Sequence, residues 1–186
     1  MERIIKPMTD SHRADTLDFV EKVFTEHENA AEGATVRALV EEIRAGKYYL
    51  PEMELVMTDE NDEIIGYAMF SRFHIEGRYD RELLLLSPVA VKTELQRRHI
   101  SRDILEYGMK RAASMGYRAV LVEGAPWNYH SRGFDTSAKY GIVADPGMHL
   151  PHEDCLMVAA LVPGGLEGMH GAVDYGMYRT LTSPEQ

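Results

Sequence analysis

The sequence predicts an α/β (α+β) fold, a mixed sheet covered by helices. Three observations predict it: two helical periodicities open the chain, alternating and continuous apolar runs follow as strands, and a strand–helix–strand unit succeeds them. The length of 186 residues suits a single domain, residues 1–186, with a sizeable apolar core. No internal repeat, low-complexity tract or long linker breaks it up.

After Ile4 and Ile5, the run TDSHRADTLDFVEKVF offers Thr9, Asp10 and Ser11 as N-cap residues. It then sets Leu17, Val20 and Phe24 at helical spacing. A second helix is expected after Gly33, with Val36, Leu39, Val40 and Ile43 on one face and Gly46 as its stop. Beyond Pro51, Met53–Met57 and Ile64–Ile75 read as strands joined by the polar turn Thr58–Asp62. A turn at Gly77–Asp80 leads into ELLLLSPVAV, whose continuous apolar character suits a strand buried on both faces. Pro88 has no N–H for a ladder hydrogen bond, so this strand should bulge or lose pairing near Ser87 and Pro88.

A helix from about Ser101 to Met115 follows, with Ile104, Gly108, Ala112 and Met115 as its inward stripe and Gly116 after it. Gly108 costs about 1 kcal/mol against alanine in a helix, which points to close packing at that position. Arg118–Glu123 reads as another buried strand. A short helix around Tyr129, a strand at Cys155–Leu161 and one more near Val173–Tyr178 complete the chain.

Apolar residues make up 45% of the chain and charged residues 27%, the balance of a soluble globular protein. The opening MERIIKPMTD carries an acidic residue at once and lacks the apolar centre of a secretory signal, so a cytoplasmic location is expected. Cys155 is the single cysteine, which excludes an intrachain disulfide and a cysteine-built zinc site. The formal net charge of −10 disfavours nucleic acid and anionic membranes as partners and mildly favours small cations such as amines. Solubility explains that charge equally well. One local exception stands out: Lys92, Arg97, Arg98, His99 and Arg102 lie close together with only Glu94 against them.

That basic cluster sits in SPVAVKTELQRRHISRDIL, which joins a buried strand to an amphipathic helix. A helix start presents unpaired backbone N–H groups and the positive end of the macrodipole, an arrangement suited to a pyrophosphate. A solvated helix start would look the same.

The segment resembles the central motif of the GNAT acetyltransferases, in particular their YhbS-like branch. There a strand ending in P-x-A-V runs into a loop of the form Q/R-x-x-G-x-G/A, whose amides bind the coenzyme A pyrophosphate. This chain has Pro88-Val89-Ala90-Val91 and then Gln96-Arg97-Arg98-His99-Ile100-Ser101. His99 departs from the pattern, standing where the first motif glycine belongs. Arg97 also stands where many relatives carry glycine, at a variable position where arginine is expected to be harmless. Farther on, Gly124, Pro126, Tyr129, Gly133 and Phe134 fall in register with the family's G-D-P-x-Y-Y-x-x-F-G-F. Leu161-Val162-Pro163-Gly164 and Gly171-Ala172-Val173 match its last strands. The likeness is good from about Ile65 to Tyr175 and faint over the first helices.

The resemblance implies a mostly antiparallel central sheet with splayed central strands. It implies acetyl-CoA as co-substrate without a metal, held by Val89, Ala90, Val91, Gln96, Arg97, Arg98, His99, Ile100, Ser101 and Arg102, with Asn128 on the pantetheine arm. Tyr129 would be the acid for the leaving thiolate, Val89 N–H the carbonyl polariser, and Glu123 the base through water. A packing role for the Tyr129 ring, a solvent or arginine-paired Glu123 and a helix-capping Asn128 stand beside these roles. His74 and Glu82 are weaker candidates for the base. His149, His152, Glu153 and Asp154 have metal-capable side chains, but their loop context does not gather them. The implied reaction is acetyl transfer to a primary amine, on a small molecule or a peptide. The alternative is a non-catalytic CoA- or ligand-binding module, motivated by His99. Glu26, Glu28 and Glu32 are candidates to attract a cationic acceptor, and relatives are often homodimers.

Overall fold

The computed structural model of the chain describes residues 2–182. In chain order its elements are β1 (Ile4–Pro7), α1 (Arg13–His27), α2 (Ala30–Ala45), β2 (Glu54–Thr58), β3 (Ile64–Ile75), β4 (Arg78–Val91), α3 (Ile100–Ser114), β5 (Ala119–Glu123), α4 (Pro126–Tyr129), β6 (Asp135–Thr136), β7 (Ile142–Ala144), β8 (Leu156–Ala160), β9 (Gly171–Val173) and α5 (Arg179–Thr182). Seven strands form one sheet in the order β1-β2-β3-β4-β5-β8-β6, while β7 and β9 make a separate parallel pair. In the large sheet β1–β2, β2–β3, β5–β8 and β6–β8 are antiparallel and β4–β5 is parallel. This is the mixed, mostly antiparallel sheet with flanking helices that the sequence predicts. Among the described residues no helix is long and apolar enough to cross a membrane.

Two compact units emerge from the contacts: residues up to Ser71 with Pro88–Gly108, and Arg72–Ser87 with the residues from Met109 onward. In the first unit α1 buries Thr16, Val20 and Val23, whereas Leu17 and Phe24 remain half-buried. α2 begins three residues earlier than Gly33, because the Asn29 side chain accepts from the Glu32 N–H and caps it. Gly33 instead lets the two helices touch: a Cβ there would lie 2.0 Å from Thr25 Oγ1 and 2.6 Å from the Glu21 carbonyl. Val36, Leu39, Val40 and Ile43 are buried as predicted.

Under these helices lies a buried polar knot. The Arg44 guanidinium donates to the Glu54 carboxylate and, at 2.6 Å, to Thr16 Oγ1, while the Tyr67 hydroxyl donates to Glu54 at 2.8 Å. The Tyr49 hydroxyl donates to the other Glu54 oxygen. Arg44 also donates to the Arg13 carbonyl at 3.0 Å, and neither Arg44 nor Glu54 keeps appreciable contact with solvent, so each depends on its protein partners.

Two glycines set the height of α3 in the same unit. Gly66 of β3 leaves space for Ile100, whose Cγ2 would be 2.8 Å from an added Cβ. Gly108 of α3 sits over Phe70, where a Cβ would meet ring carbons at 2.4 and 2.6 Å. The close packing that Gly108 predicts is therefore real, and the helix is pinned at its first residue and again past its middle. The inward stripe is Ile100, Ile104, Leu105, Gly108 and Ala112; Met115 is exposed, since the helix ends at Ser114 before its turn comes round.

In the second unit a tight turn at Glu76 and Gly77, with φ of 52° and 74°, returns the chain into β4. Leu83, Leu84 and Leu85 pair with Ala119, Val120 and Leu121, and the parallel register ends there although both strands run on. Pro88, without an N–H, follows three residues later, in keeping with the loss of pairing its sequence predicts. β5 stays paired on its other side, from Ala119↔Ala160 to Glu123↔Leu156. Gly165 approaches the Arg118 carbonyl so closely that a Cβ would lie 2.2 Å from it, which accounts for a glycine after the Pro163-Gly164 turn. Cys155 lies in a short 3₁₀ turn before β8 rather than inside the strand. The expected last strand begins earlier, at Gly171, and pairs with β7, an element too short to show a period in the sequence.

Candidate active site

In the first unit, Lys92 N–H donates to the Ile65 carbonyl of β3 at 3.1 Å. Strand alternation then turns the N–H of Val91 and of Val89 away from β3. Val89 and Val91 are half-buried, and Ala90 between them is buried. A 3₁₀ turn, Thr93–Leu95, leads through Gln96 to the start of α3. There Arg97 and His99 take φ of 62° and 63°. These are left-handed conformations that glycine adopts freely and that cost other residues about 1–2 kcal/mol each. Arginine at 97 is thus not harmless, contrary to the sequence expectation, because it carries the same strain as His99. The His99 carbonyl accepts the Asp103 N–H at 2.9 Å and opens the first turn of α3.

The basic cluster divides in two. Lys92 is bound to Glu63 at 2.6 Å and Glu94 at 3.5 Å, and the Glu63 carboxylate holds its ammonium above the usual lysine range. Arg102 lies near Asp103 and Glu106. Glu94 is therefore not the only opposing carboxylate. Arg97, Arg98 and His99 are exposed, and among the described residues no carboxylate pairs with them. The Arg98 carbonyl is held by Arg3 at 3.0 Å, which steadies the loop from β1's side. A helix start, a left-handed turn and the exposed guanidiniums of Arg97 and Arg98 are a donor set that fits a diphosphate.

In the second unit, the matched glycine, proline and aromatic positions explain one another. Pro126 starts α4, where its missing N–H costs nothing. The Tyr129 ring lies over Gly124, where a Cβ would be 2.5 Å from Cε2, and stands edge-on to Phe134 with centroids 5.5 Å apart. Gly133, at φ 87°, reverses the chain so that Phe134 N–H reaches the Tyr129 carbonyl at 3.3 Å. Burial pushes the Tyr129 hydroxyl above its ordinary pKa, against a smaller opposite effect of Arg132. It therefore stays protonated at neutral pH.

Glu123 ends β5, two residues past the last pair with β4. The residue is exposed at the strand end, but the protein beside its carboxyl removes part of its water and raises it above the ordinary glutamate value, and a hydrogen bond from the Tyr175 hydroxyl lowers it less. Among the described residues no arginine pairs with it. Tyr175 had no signal in the sequence, because its partner is 52 positions away and it follows β9 in a loop. Glu82 forms an ion pair with Arg118, and His74 Nδ1 accepts the Gly77 N–H at 3.1 Å; both are engaged away from Glu123 and Tyr129. Asn128 is exposed and does not cap α4, whose N-cap position is Ala125, without a side-chain cap. Glu26 accepts the Thr93 hydroxyl at 2.6 Å, and Glu28 and Glu32 are exposed. Among the described residues no group of three or more His, Cys, Asp or Glu side chains could hold a metal.

Residues 4–137 match the family profile described as an acetyltransferase (GNAT) domain. The chain is 30% identical over 122 residues to an uncharacterized N-acetyltransferase, YhbS, of Escherichia coli K12, covering 65% of this chain and 70% of that protein. The crystal structure of Escherichia coli YhbS in complex with CoA superposes with a TM-score of 0.81 at 24% identity, over 94% of this chain and 90% of that one. A GNAT family acetyltransferase from Brucella melitensis, solved with acetyl-CoA, gives a TM-score of 0.70 at 22% identity, over 96% and 97% of the two chains. The left-handed helix-start loop and the Gly124–Phe134 arrangement are thus carried by a chain that belongs to the GNAT acetyltransferase family.

Proposed function

We propose that the chain works as one domain that transfers an acetyl group from acetyl-CoA to a primary amine by direct attack. The observation that carries this reading is the backbone at Arg97 and His99, which keeps a glycine-type shape without glycine. A decayed phosphate loop would be expected to relax to unstrained torsions; strain that persists marks a shape in use.

In this reading the amides of residues 97–102 and the Arg97 and Arg98 side chains grip the diphosphate. Gln96 and His99 flank it, Val89 and Val91 hydrogen-bond the extended amide-bearing arm, with Ala90 between them, and Asn128 reaches the same arm. The acceptor ammonium gives one proton through water to Glu123, which passes it to solvent. The neutral nitrogen attacks the thioester carbonyl carbon, polarised by Val89 N–H; the N–C bond forms and the C–S bond breaks. Tyr129 protonates the leaving thiolate and regains a proton from the acylated nitrogen by way of water. The raised pKa of each group suits its part, Tyr129 as a held acid and Glu123 as a base closer to neutrality.

Isothermal titration with acetyl-CoA tests the reading. Saturable binding, followed by amine-dependent thiol release, is the expected result. Absence of binding at millimolar ligand would overturn it, and binding without any turnover over a broad amine panel would favour a non-catalytic module.

A further inference from the structure

The second unit holds a cavity of about 560 Å³ bounded by Glu123, Pro126, Trp127, Pro151, His152 and Cys155. We propose that this cavity seats the acceptor, and that the acceptor is a monoamine on an apolar, ring-sized body without a carboxylate. The inference rests on the transferase reading and names the substrate class that reading leaves open.

Four features lead to it. The volume falls within the range of small-ligand pockets, and the walls are mostly apolar, as such pockets are. Trp127, the single tryptophan, is 79% exposed on the rim, with Pro126 fixing the backbone beside it. A bare indole face offers both contact area and attraction for a cation.

Charge narrows the class. Glu123 at the edge of the cavity has no cation partner among the described residues; the Tyr175 hydroxyl is its hydrogen-bond donor. A bound ammonium would supply the missing charge. Among the described residues no lysine or arginine lines the cavity, so an acceptor carrying its own carboxylate would face Glu123 and Asp154 with no ammonium or guanidinium to answer it. Polycations fit poorly as well. Asp154, the other carboxylate on the lining, already accepts the Thr136 hydroxyl at 2.8 Å and lies 3.2 Å from His152 Nδ1. One ammonium is what the site can match.

The experiment compares phenethylamine, hexylamine, phenylalanine and spermidine as acceptors for the full chain with acetyl-CoA. Phenethylamine should exceed phenylalanine and spermidine in kcat/KM by about tenfold or more, the scale of discrimination that an unmatched charge or lost apolar contact brings. Trp127→Ala should raise the phenethylamine KM by about tenfold and leave the acetyl-CoA KM within about twofold, with Trp127→Phe restoring most of the loss. Because Trp127 is the only tryptophan, its fluorescence reads amine binding directly, with no acetyl-CoA present. Saturable quenching by phenethylamine with no acetyl-CoA binding would remove the transferase reading and keep the pocket. Phenylalanine or spermidine equal to phenethylamine, an unchanged KM in Trp127→Ala, or no fluorescence change would overturn the inference.

Discussion

The Tyr129 ring lies against the α-carbon of Gly124 so closely that a methyl group there would be 2.5 Å from Cε2. Gly124→Ala should therefore push the ring off Phe134 and misplace its hydroxyl. We expect kcat to fall by about 10²-fold, the usual scale for a general acid moved out of line, with less change in acetyl-CoA affinity. Steady-state kinetics with calorimetric binding separates the two.

Gly108→Ala sets two effects against each other. Helix propensity alone would favour alanine by about 1 kcal/mol. The added methyl, however, would lie 2.4 Å from the Phe70 ring, and overpacking of this kind costs about 1–3 kcal/mol. The ring is buried on all sides and cannot give way, so a net loss of stability is expected in urea denaturation.

At the loop the balance runs the other way. His99→Gly and Arg97→Gly each relieve about 1–2 kcal/mol of left-handed strain and lose about 0.4–1 kcal/mol through a freer unfolded chain. Each substitution should stabilise the protein slightly, by about 0.5–1 kcal/mol. His99→Gly should leave CoA affinity intact or improve it, whereas Arg97→Gly should weaken it by removing a guanidinium. Thermal melts with and without CoA check both signs.

Arg44→Met strands the Glu54 carboxylate in the core with only tyrosine hydroxyls to face it. Breaking one side of a buried pair costs about 3–5 kcal/mol, so the midpoint of denaturation should drop steeply.

The pH dependence follows from Glu123. Its carboxyl titrates higher in the folded protein than in the unfolded chain, mainly because neighbouring protein takes part of its water, although the residue itself is exposed. Stability linked to this group is therefore full below the unfolded pKa and declines as pH rises through the folded one. Glu123→Gln should remove that decline. In kinetics, kcat/KM should climb with pH through an apparent pKa above the ordinary glutamate value, and the same substitution should flatten the limb.

Much of this arrangement was legible in the sequence where local rules apply. Pro88 forecast the loss of strand pairing, Gly108 the tight seat of α3, and the run from Gly124 to Phe134 a turn built around Tyr129. What escaped depends on partners distant in the chain. Gly33 reads as a helix start but is a helix–helix contact, because Thr25 lies across from it. Met115 has the right spacing for the core, yet the helix stops one residue short. Tyr175 and the cavity beside Trp127 arise only when β5, α4 and the segment before β8 meet, and β7 and β9 are too short to carry a period. The strain at Arg97 is a backbone property that residue type alone concealed.

The most direct test follows backbone amide resonances while CoA is titrated into ¹⁵N-labelled protein. Large shifts should concentrate at residues 97–102, as expected where a helix start receives a diphosphate. If CoA binds while these amides stay unmoved, or fails to bind at millimolar concentration, the assignment of this loop as the diphosphate grip is wrong.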